Sequence, residues 1–530
     1  MRTNALLPIL PLAACIFAMA ARAEGLTLTP VPDEQTGLKA IMEAWSAAEL
    51  KRQGGKFQDH GWWPWGLTAF DFDNDGDLDL VPSHHGVSGG LLLKNKLKET
   101  GKLEFEDVTV AVAGDNRNLP GADDRPWAWD FDGDGFLDLG GFSDESKAKS
   151  VLNQGAAKFA IASFTFNPLS HASEVADLNG DGFLDLWGYH RDTLLQFFFE
   201  PSNNTFQVKS SKREPGIPAE RVPQALREEI EALKQQKNNR FMGVGYLTGH
   251  DLNGDGREDV IVQISGGYGA TIAGRYLVAG EDGSLAERGA ELGLPKDGCA
   301  ILARDLNADG HVDLVVAVGP GAGLYLNDGK GRFTVQPGDL KAFLEKPGPY
   351  LLRAWPADLD NDGDDDLVVS NPRLGNEQVY ENEGGVFRKV LAAGGWDANP
   401  VVICDIDNDG LLDVCIGGPK NTITLYRSSS PKAGRYVKVY PRMTKPNPFA
   451  VGAKVEVFKA GALADPAAKP LFAGMARPDG QPVHAGLGST ESVDVRVTFP
   501  GAEKKVVEGK GLAANGAWKV ALDGSVEAVK

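Results

Sequence analysis

Apolar residues along this chain come in short runs, separated at near-regular intervals by acidic, glycine-bearing loops. One nine-residue pattern, D-x-[D/N]-x-D-G-x-x-D, begins at Asp71, Asp130, Asp177, Asp251, Asp305, Asp358 and Asp405. Its second position is always apolar (Phe72, Phe131, Leu178, Leu252, Leu306, Leu359, Ile406), and so is the residue after the pattern (Leu80, Leu139, Leu186, Val260, Leu314, Leu367, Val414). Runs such as 401–404 before a loop and 412–414 after it predict a strand entering and a strand leaving, with the loop as the turn of a β-hairpin. A further strand often follows and closes on Asn, Gly and Phe, as in 324–333, 379–387 and 151–159.

The loops start 59, 47, 74, 54, 53 and 47 residues apart. A unit of about fifty residues with four short strands fits a propeller blade, so seven loops predict seven blades. Two residues before each loop stand Ala69, Ala128, Val175, Gly249, Ala303, Pro356 and Ile403, mostly small side chains suited to innermost strands around an axis. The long gap holds an insertion at about 210–240, where 219–237 reads as a helix with Leu226, Ile230 and Leu233 on one face, packed on a blade as a surface decoration. A second helix is predicted over 37–52, carrying Leu38, Ile41, Met42 and Trp45.

The chemistry of the loops is that of Ca²⁺, a hard cation that takes six to eight oxygens. Position 1 supplies Asp71, Asp130, Asp177, Asp251, Asp305, Asp358 and Asp405. Position 3 supplies Asp73, Asp132, Asn179, Asn253, Asn307, Asp360 and Asp407. Position 5 supplies Asp75, Asp134, Asp181, Asp255, Asp309, Asp362 and Asp409, and position 9 supplies Asp79, Asp138, Asp185, Asp259, Asp313, Asp366 and Asp413. Position 7 varies (Asp77, Phe136, Phe183, Arg257, His311, Asp364, Leu411), as expected of a residue lending only its backbone carbonyl. Position 6 is always Gly, because a chain curling around an ion needs a positive φ there. An EF-hand is a poor match: residue 12 is never Glu, and the flanks read as strands. No Cys or His recurs at ligand positions, which argues against zinc and copper. Mg²⁺ prefers fewer protein ligands.

Charge changes the picture twice. Lys plus Arg is 54 against 73 Asp plus Glu, a formal charge of −19, and this acid excess argues against nucleic acid as the main partner. Residues 1–23 read as a signal peptide, with Arg2, an apolar stretch and an A-x-A site at 21–23. The run 12–15 also resembles a lipobox, with Cys15 as the lipidated residue in that alternative. Removing 1–23 takes away Arg2 and Arg22 and leaves −21, which seven divalent ions bring to about −7. The product is read as secreted, periplasmic or at the cell surface, with no transmembrane span. Cys299, Cys404 and Cys415 remain; Cys404 and Cys415 flank one loop and could face each other, but the reading taken is three small buried side chains.

The loops and their spacing resemble FG-GAP/VCBS repeats, the units of integrin-α-like propellers, over about 55–430. That resemblance implies an all-β fold: a seven-bladed β-propeller with Ca²⁺ (up to seven ions) in hairpin loops on one face. It makes positions 1, 3, 5 and 9 ligands, with weaker binding where Asn179, Asn253 and Asn307 stand. Residues 436–530 lack acidic loops and alternate as strands; 451–457, 485–488 and 493–501 resemble the ASPIC/UnbV domain of cartilage-acidic-protein-like bacterial proteins. Ala485 and Phe499 depart from that family's Phe-Gly-Leu-Gly and Trp-Pro. The domain reading is thus signal 1–23, an N-terminal helical segment 24–54, the propeller 55–430 and a small C-terminal β domain 436–530.

Strands leaving the loops run to the opposite face, where His84, His85, Trp187, Tyr189, His190, Arg191, Tyr268 and Arg373 fall in turns, with Trp62 and Trp63 entering the first blade. Such side chains suit sugar stacking or protein hot spots, with burial between blades as the competing use of the tryptophans. The reading is a non-enzymatic, adhesion-type module for an extracytoplasmic protein or glycan. No nucleophile elbow, HExxH, P-loop or CxxC is present. The alternatives are a lyase-like polysaccharide-active enzyme using that opposite face, with His84, His190 and Asp192 for acid–base work, and a purely structural scaffold.

Overall fold

The computed structural model describes residues 25–529 except 53, 55–63, 85–88, 116–117, 120–125, 143–147, 156–157, 167–172, 191–192, 201, 203–204, 213–220, 236–242, 266–270, 297, 346–351, 372–375, 394–399, 419–420 and 502. Residues 1–23, read above as a signal peptide, and Cys15 among them lie outside these residues. The chain is all-β, built from small antiparallel sheets with few helices, a pattern consistent with a β-propeller.

Among the described residues, seven four-stranded sheets each take a nine-residue loop between their first and second strands. Sheet 1 runs Pro64–Phe70, Asp79–His84, Leu93–Asn95, Phe105–Asp107, with loop 1 (71–79) at its first turn. Sheets 2 to 6 begin at Trp127–Trp129, Ser173–Ala176, Gly243–His250, Cys299–Arg304 and Arg353–Ala357, and loops 2 to 6 follow in order. Sheet 7 has only three strands of its own, Val401–Cys404, Asp413–Gly418 and Thr422–Ser429. Its fourth is Thr27–Pro30, from the stretch read as an N-terminal helical segment, paired antiparallel with Thr27 opposite Ser429. Leu26 and Leu28 fill the sheet 6–7 core beside Val368, Val379 and Ile416. Four residues are too few to announce a strand by alternation, and only the distant partner makes them one.

Among the described residues, buried clusters bridge sheets 1 to 3, sheets 4 to 7, and sheet 7 back to sheet 1. Tyr276 and Leu314 join sheets 4 and 5, Val315 and Tyr380 join 5 and 6, and Ala69, Leu80, Cys404 and Cys415 join 7 back to 1. The last cluster also takes Leu38, Met42 and Trp45 from the helix Leu38–Arg52. The helix Gln224–Gln235 lays Leu226 and Ile230 on Val260, Val262 and Ile264 of sheet 4. Cys299, Cys404 and Cys415 are buried thiols.

Residues after 434 form two further four-stranded sheets over one core of Val437, Val455, Val495, Phe499 and Val520. One sheet includes a parallel pair, Arg435–Arg442 with Gly516–Ala521.

Candidate metal centres

All seven loops share one hydrogen-bond scheme, set by the spacing of their acids. The position 1 carboxylate accepts the N–H of the position 6 glycine at 2.7–3.0 Å. The position 5 carboxylate accepts the N–H of position 7 at 2.8–3.0 Å, so residue 7 turns with its backbone toward the loop, whatever its side chain. Position 9 is buried and accepts with both oxygens: one takes the N–H of position 2, the other an N–H from the third strand, at Asn95, Asn153, Phe199, Ala279, Asn327, Asn382 and Ser428. Position 9 thus ties three strands together besides facing the loop.

The glycines at position 6 have φ of 81–102° in all seven loops. Position 4 is left-handed as well, with Asn74, Asn361 and Asn408 near 60° and Gly in loops 2, 3 and 4; Ala308 of loop 5 holds φ 58° with no such advantage. The three asparagines reach into the next loop: Asn361 Nδ2 donates to Gly410 O (2.9 Å), Asn408 to Gly76 O (3.4 Å) and Asn74 to Gly135 O (3.5 Å).

Third-strand asparagines form a second link. Asn153 Nδ2 donates to Phe72 O at 2.6 Å, Asn327 to Leu252 O at 3.1 Å, Asn382 to Leu306 O at 2.6 Å and Asn95 to Ile406 O at 3.1 Å. Each crosses to position 2 of the preceding loop, and Asn95 crosses from sheet 1 back to loop 7. The Asn-Gly-Phe signature visible in the sequence is therefore an inter-sheet clasp, a role that only the tertiary fold reveals.

The acids converge. One oxygen each from positions 1, 3 and 9 lies within 4.8 Å of the others in loop 1 (Asp71, Asp73, Asp79), loop 2 (Asp130, Asp132, Asp138), loop 6 (Asp358, Asp360, Asp366) and loop 7 (Asp405, Asp407, Asp413). Asp75, Asp77 and Glu99 make another such group beside loop 1. In loops 3, 4 and 5 the position 3 amide donates to the position 5 carboxylate at 2.8–2.9 Å, relieving repulsion internally. Burial, then mutual repulsion, pushes the carboxyls of Asp130 and Asp364 up to about 7 and that of Asp413 to about 8; Asp79, Asp138 and Asp358 are pushed well up for the same reason. Buried oxygen clusters of this kind are stabilised by a hard cation, and the donor set fits Ca²⁺.

Protein cations reach some loops. Lys94 pairs with Asp73 and Asp75 in loop 1 and with Glu99 beside it, Arg257 with Asp255 in loop 4, and Arg427 and Lys438 with Asp407 and Asp405 in loop 7. Among the described residues, none comes within 4 Å of the position 1, 3 or 5 carboxylates of loops 2 and 6.

The C-terminal unit sits on this loop face. Gly434 N–H donates to Asp360 O (2.8 Å), Gly488 N–H to Asn361 O (2.9 Å) and Gln481 Nε2 to Ala69 O (2.9 Å). His484 Nε2 lies 2.7 Å from Asn361 Oδ1, and burial lowers this imidazole to about 3. Phe449 and Val451 join Phe131, Leu137 and Leu184 in one core. A cavity of about 410 Å³ remains beneath the unit, lined by Arg304, Trp355, Asp365, Arg477 and His484 among others.

The expected ligand face is different at His84. This residue is fully buried, stacked on Trp45 at 4.0 Å with Asn421 beside it, and burial lowers its pKa to about 3. It is packing under the Leu38–Arg52 helix, because the imidazole fills an apolar gap that the helix closes. Trp62, Trp63, His85, Arg191, Asp192, Tyr268 and Arg373 lie outside the described residues, and Trp187, Tyr189 and His190 are placed only as backbone of the strand Asp185–His190. No helix among the described residues is long and apolar enough to cross a membrane.

The FG-GAP-like repeat family matches residues 130–187, 305–369 and 358–416. Each match runs from one loop through the next. No curated protein matches the chain. Among solved structures, a lectin from Agrocybe aegerita, described as recognising non-reducing terminal N-acetylglucosamine, is 18% identical over 64% of this chain and 82% of its own, at a TM-score of 0.33. The extracellular domain of a putative hybrid two-component system from B. thetaiotaomicron is 8% identical over 94% of this chain and 59% of its own, at 0.36. Saccharomyces cerevisiae Sqt1 is 13% identical over 71% and 98%, at 0.38.

Proposed function

We propose that the chain is an exported, seven-bladed β-propeller that takes Ca²⁺ in its hairpin loops and serves as a non-enzymatic binding module for an extracytoplasmic protein or glycan. The observation that carries the metal reading is the convergence of carboxylates in loops 2 and 6 with, among the described residues, no protein cation within 4 Å of their position 1, 3 or 5 acids. The carboxylates or amides of positions 1, 3, 5 and 9 and the carbonyl of position 7 would hold the ion. Bound Ca²⁺ would supply charge neutralisation and rigidity, so metal binding is folding energy. The FG-GAP-like repeats support a binding role, since the repeated unit spends its acidic residues on the scaffold. The C-terminal unit is read as ASPIC/UnbV-like.

The test is bound metal and melting temperature on residues 24–530, with and without chelator, followed by a screen of glycans and extracellular proteins in Ca²⁺. Bound Ca²⁺ with a large chelator-induced drop in melting temperature supports the metal reading, and a calcium-dependent hit supports the module. No bound Ca²⁺ and an unchanged melt refute the first. Turnover of a polysaccharide would replace the second with the lyase reading.

A further inference from the structure

We propose that Lys438 is a built-in counter-cation for loop 7, so that Ca²⁺ enters this loop only as the C-terminal unit loosens from it. The inference rests on reading the loops as calcium sites. Lys438 belongs to the strand Arg435–Arg442, outside the seven loop-bearing sheets. Its ammonium lies 2.5 Å from Asp405, the position 1 acid of loop 7, and the two side chains are 10% and 4% exposed. Asp407, at position 3, pairs with Arg427 from the third strand of sheet 7. Loop 7 is thus already paired with two cations of the chain, whereas in loops 2 and 6, with the same acids, Lys445 and Lys432 act on Asp132 and Asp362 only from beyond 4 Å and no described cation pairs directly with positions 1, 3 or 5. Lys94 plays a similar part in loop 1, but it comes from the same sheet and ties no second unit down.

A divalent ion and a buried ammonium on one carboxylate repel across a few ångströms of poorly screened space. Whatever Lys438 costs the ion, the ion costs the docking of Lys438, because coupling between two binding events is reciprocal. The joint that would yield is short: Ser429 ends sheet 7, Arg435 starts the next strand, and residues 431–433 between them are exposed.

The full chain and Lys438→Met are compared by equilibrium dialysis against Ca²⁺, counting bound metal. The variant is expected to fill one site at a Ca²⁺ concentration lower by on the order of ten- to a hundredfold. In the unaltered protein, tryptic cleavage after Lys432 is expected to quicken as that last site fills. Equal affinities and counts in the two proteins, both binding Ca²⁺, overturn the role of Lys438 and leave the calcium reading intact. Absence of bound Ca²⁺ in both overturns the two together. Should Lys438→Met fail to fold, cleavage of the unaltered protein decides: a rate that stays flat or falls across the titration overturns the inference.

Discussion

Replacing Asn95 by Ala removes the clasp that closes sheet 1 onto loop 7. The side chain is fully buried and makes three hydrogen bonds: Nδ2 to Leu78 O (3.2 Å) and Ile406 O (3.1 Å), and Oδ1 from Leu97 N–H (3.1 Å). The backbone N–H to Asp79 survives the substitution. At about 1 kcal/mol for each bond, the loss is about 3 kcal/mol, and more if the stranded carbonyls stay dry. Ser428 occupies the equivalent place in sheet 7 and makes one side-chain bond, Oγ to Leu412 O at 2.6 Å, so Ser428→Ala is expected to cost about 1 kcal/mol. Asn382, with bonds to Leu306 O, Asp365 O and from Gly385 N–H, should match Asn95. The assay is urea unfolding in saturating Ca²⁺, comparing midpoints at constant slope. An Asn95→Ala cost no larger than that of Ser428→Ala would refute the clasp.

Three further outcomes are expected. Ala308→Gly relieves a left-handed alanine in loop 5 and should raise stability by about 0.5–1 kcal/mol, read as a higher urea midpoint; a fall would mean the loop tolerates Ala without strain. Calcium-free protein should lose melting temperature as pH rises from about 5 to 9. Burial raises Asp71 to about 6, Asp130 to about 7 and Asp413 to about 8, above the unfolded value near 4, so their stability is full below that value and lost as each ionises; with Ca²⁺ bound the loss should vanish, and identical pH profiles would contradict this. Gly486→Ala places a methyl against Asp358, so the C-terminal unit should undock, seen as a larger radius in small-angle scattering; an unchanged radius would show that the interface gives way locally.

The loops were legible because their information is local. Nine residues carry the acids, the glycine and the apolar flanks, and a hairpin needs nothing from elsewhere. The Leu38–Arg52 and Gln224–Gln235 helices announce themselves by periodicity in the same way. What escaped is long-range. Thr27–Pro30 is a strand only because residues 426–429 lie beside it, and Asn95 is a clasp only because loop 7 lies beneath it. His84 looked like a ligand-face residue in sequence, since nothing local shows that Trp45 will cover it. Lys438 reads as an ordinary strand lysine until Asp405, in a different unit, is placed under its head.

The strand Thr27–Pro30 has a consequence in time. Of the described strands it is made before all others, yet its partner Thr422–Ser429 is made some four hundred residues later. Sheets 1 to 6 are complete as their own residues appear, but sheet 7 lacks its fourth strand's partner until residue 429 is available, and Thr27–Pro30 waits unpaired throughout. Closing so long a loop is the slow, entropy-limited step of such a topology. If the chain is exported as proposed above, an extended polymer would complete this pairing only on the far side, after residue 429 had crossed. Nascent chains halted before residue 422 should therefore leave 27–30 open to protease, while chains released beyond 429 protect it.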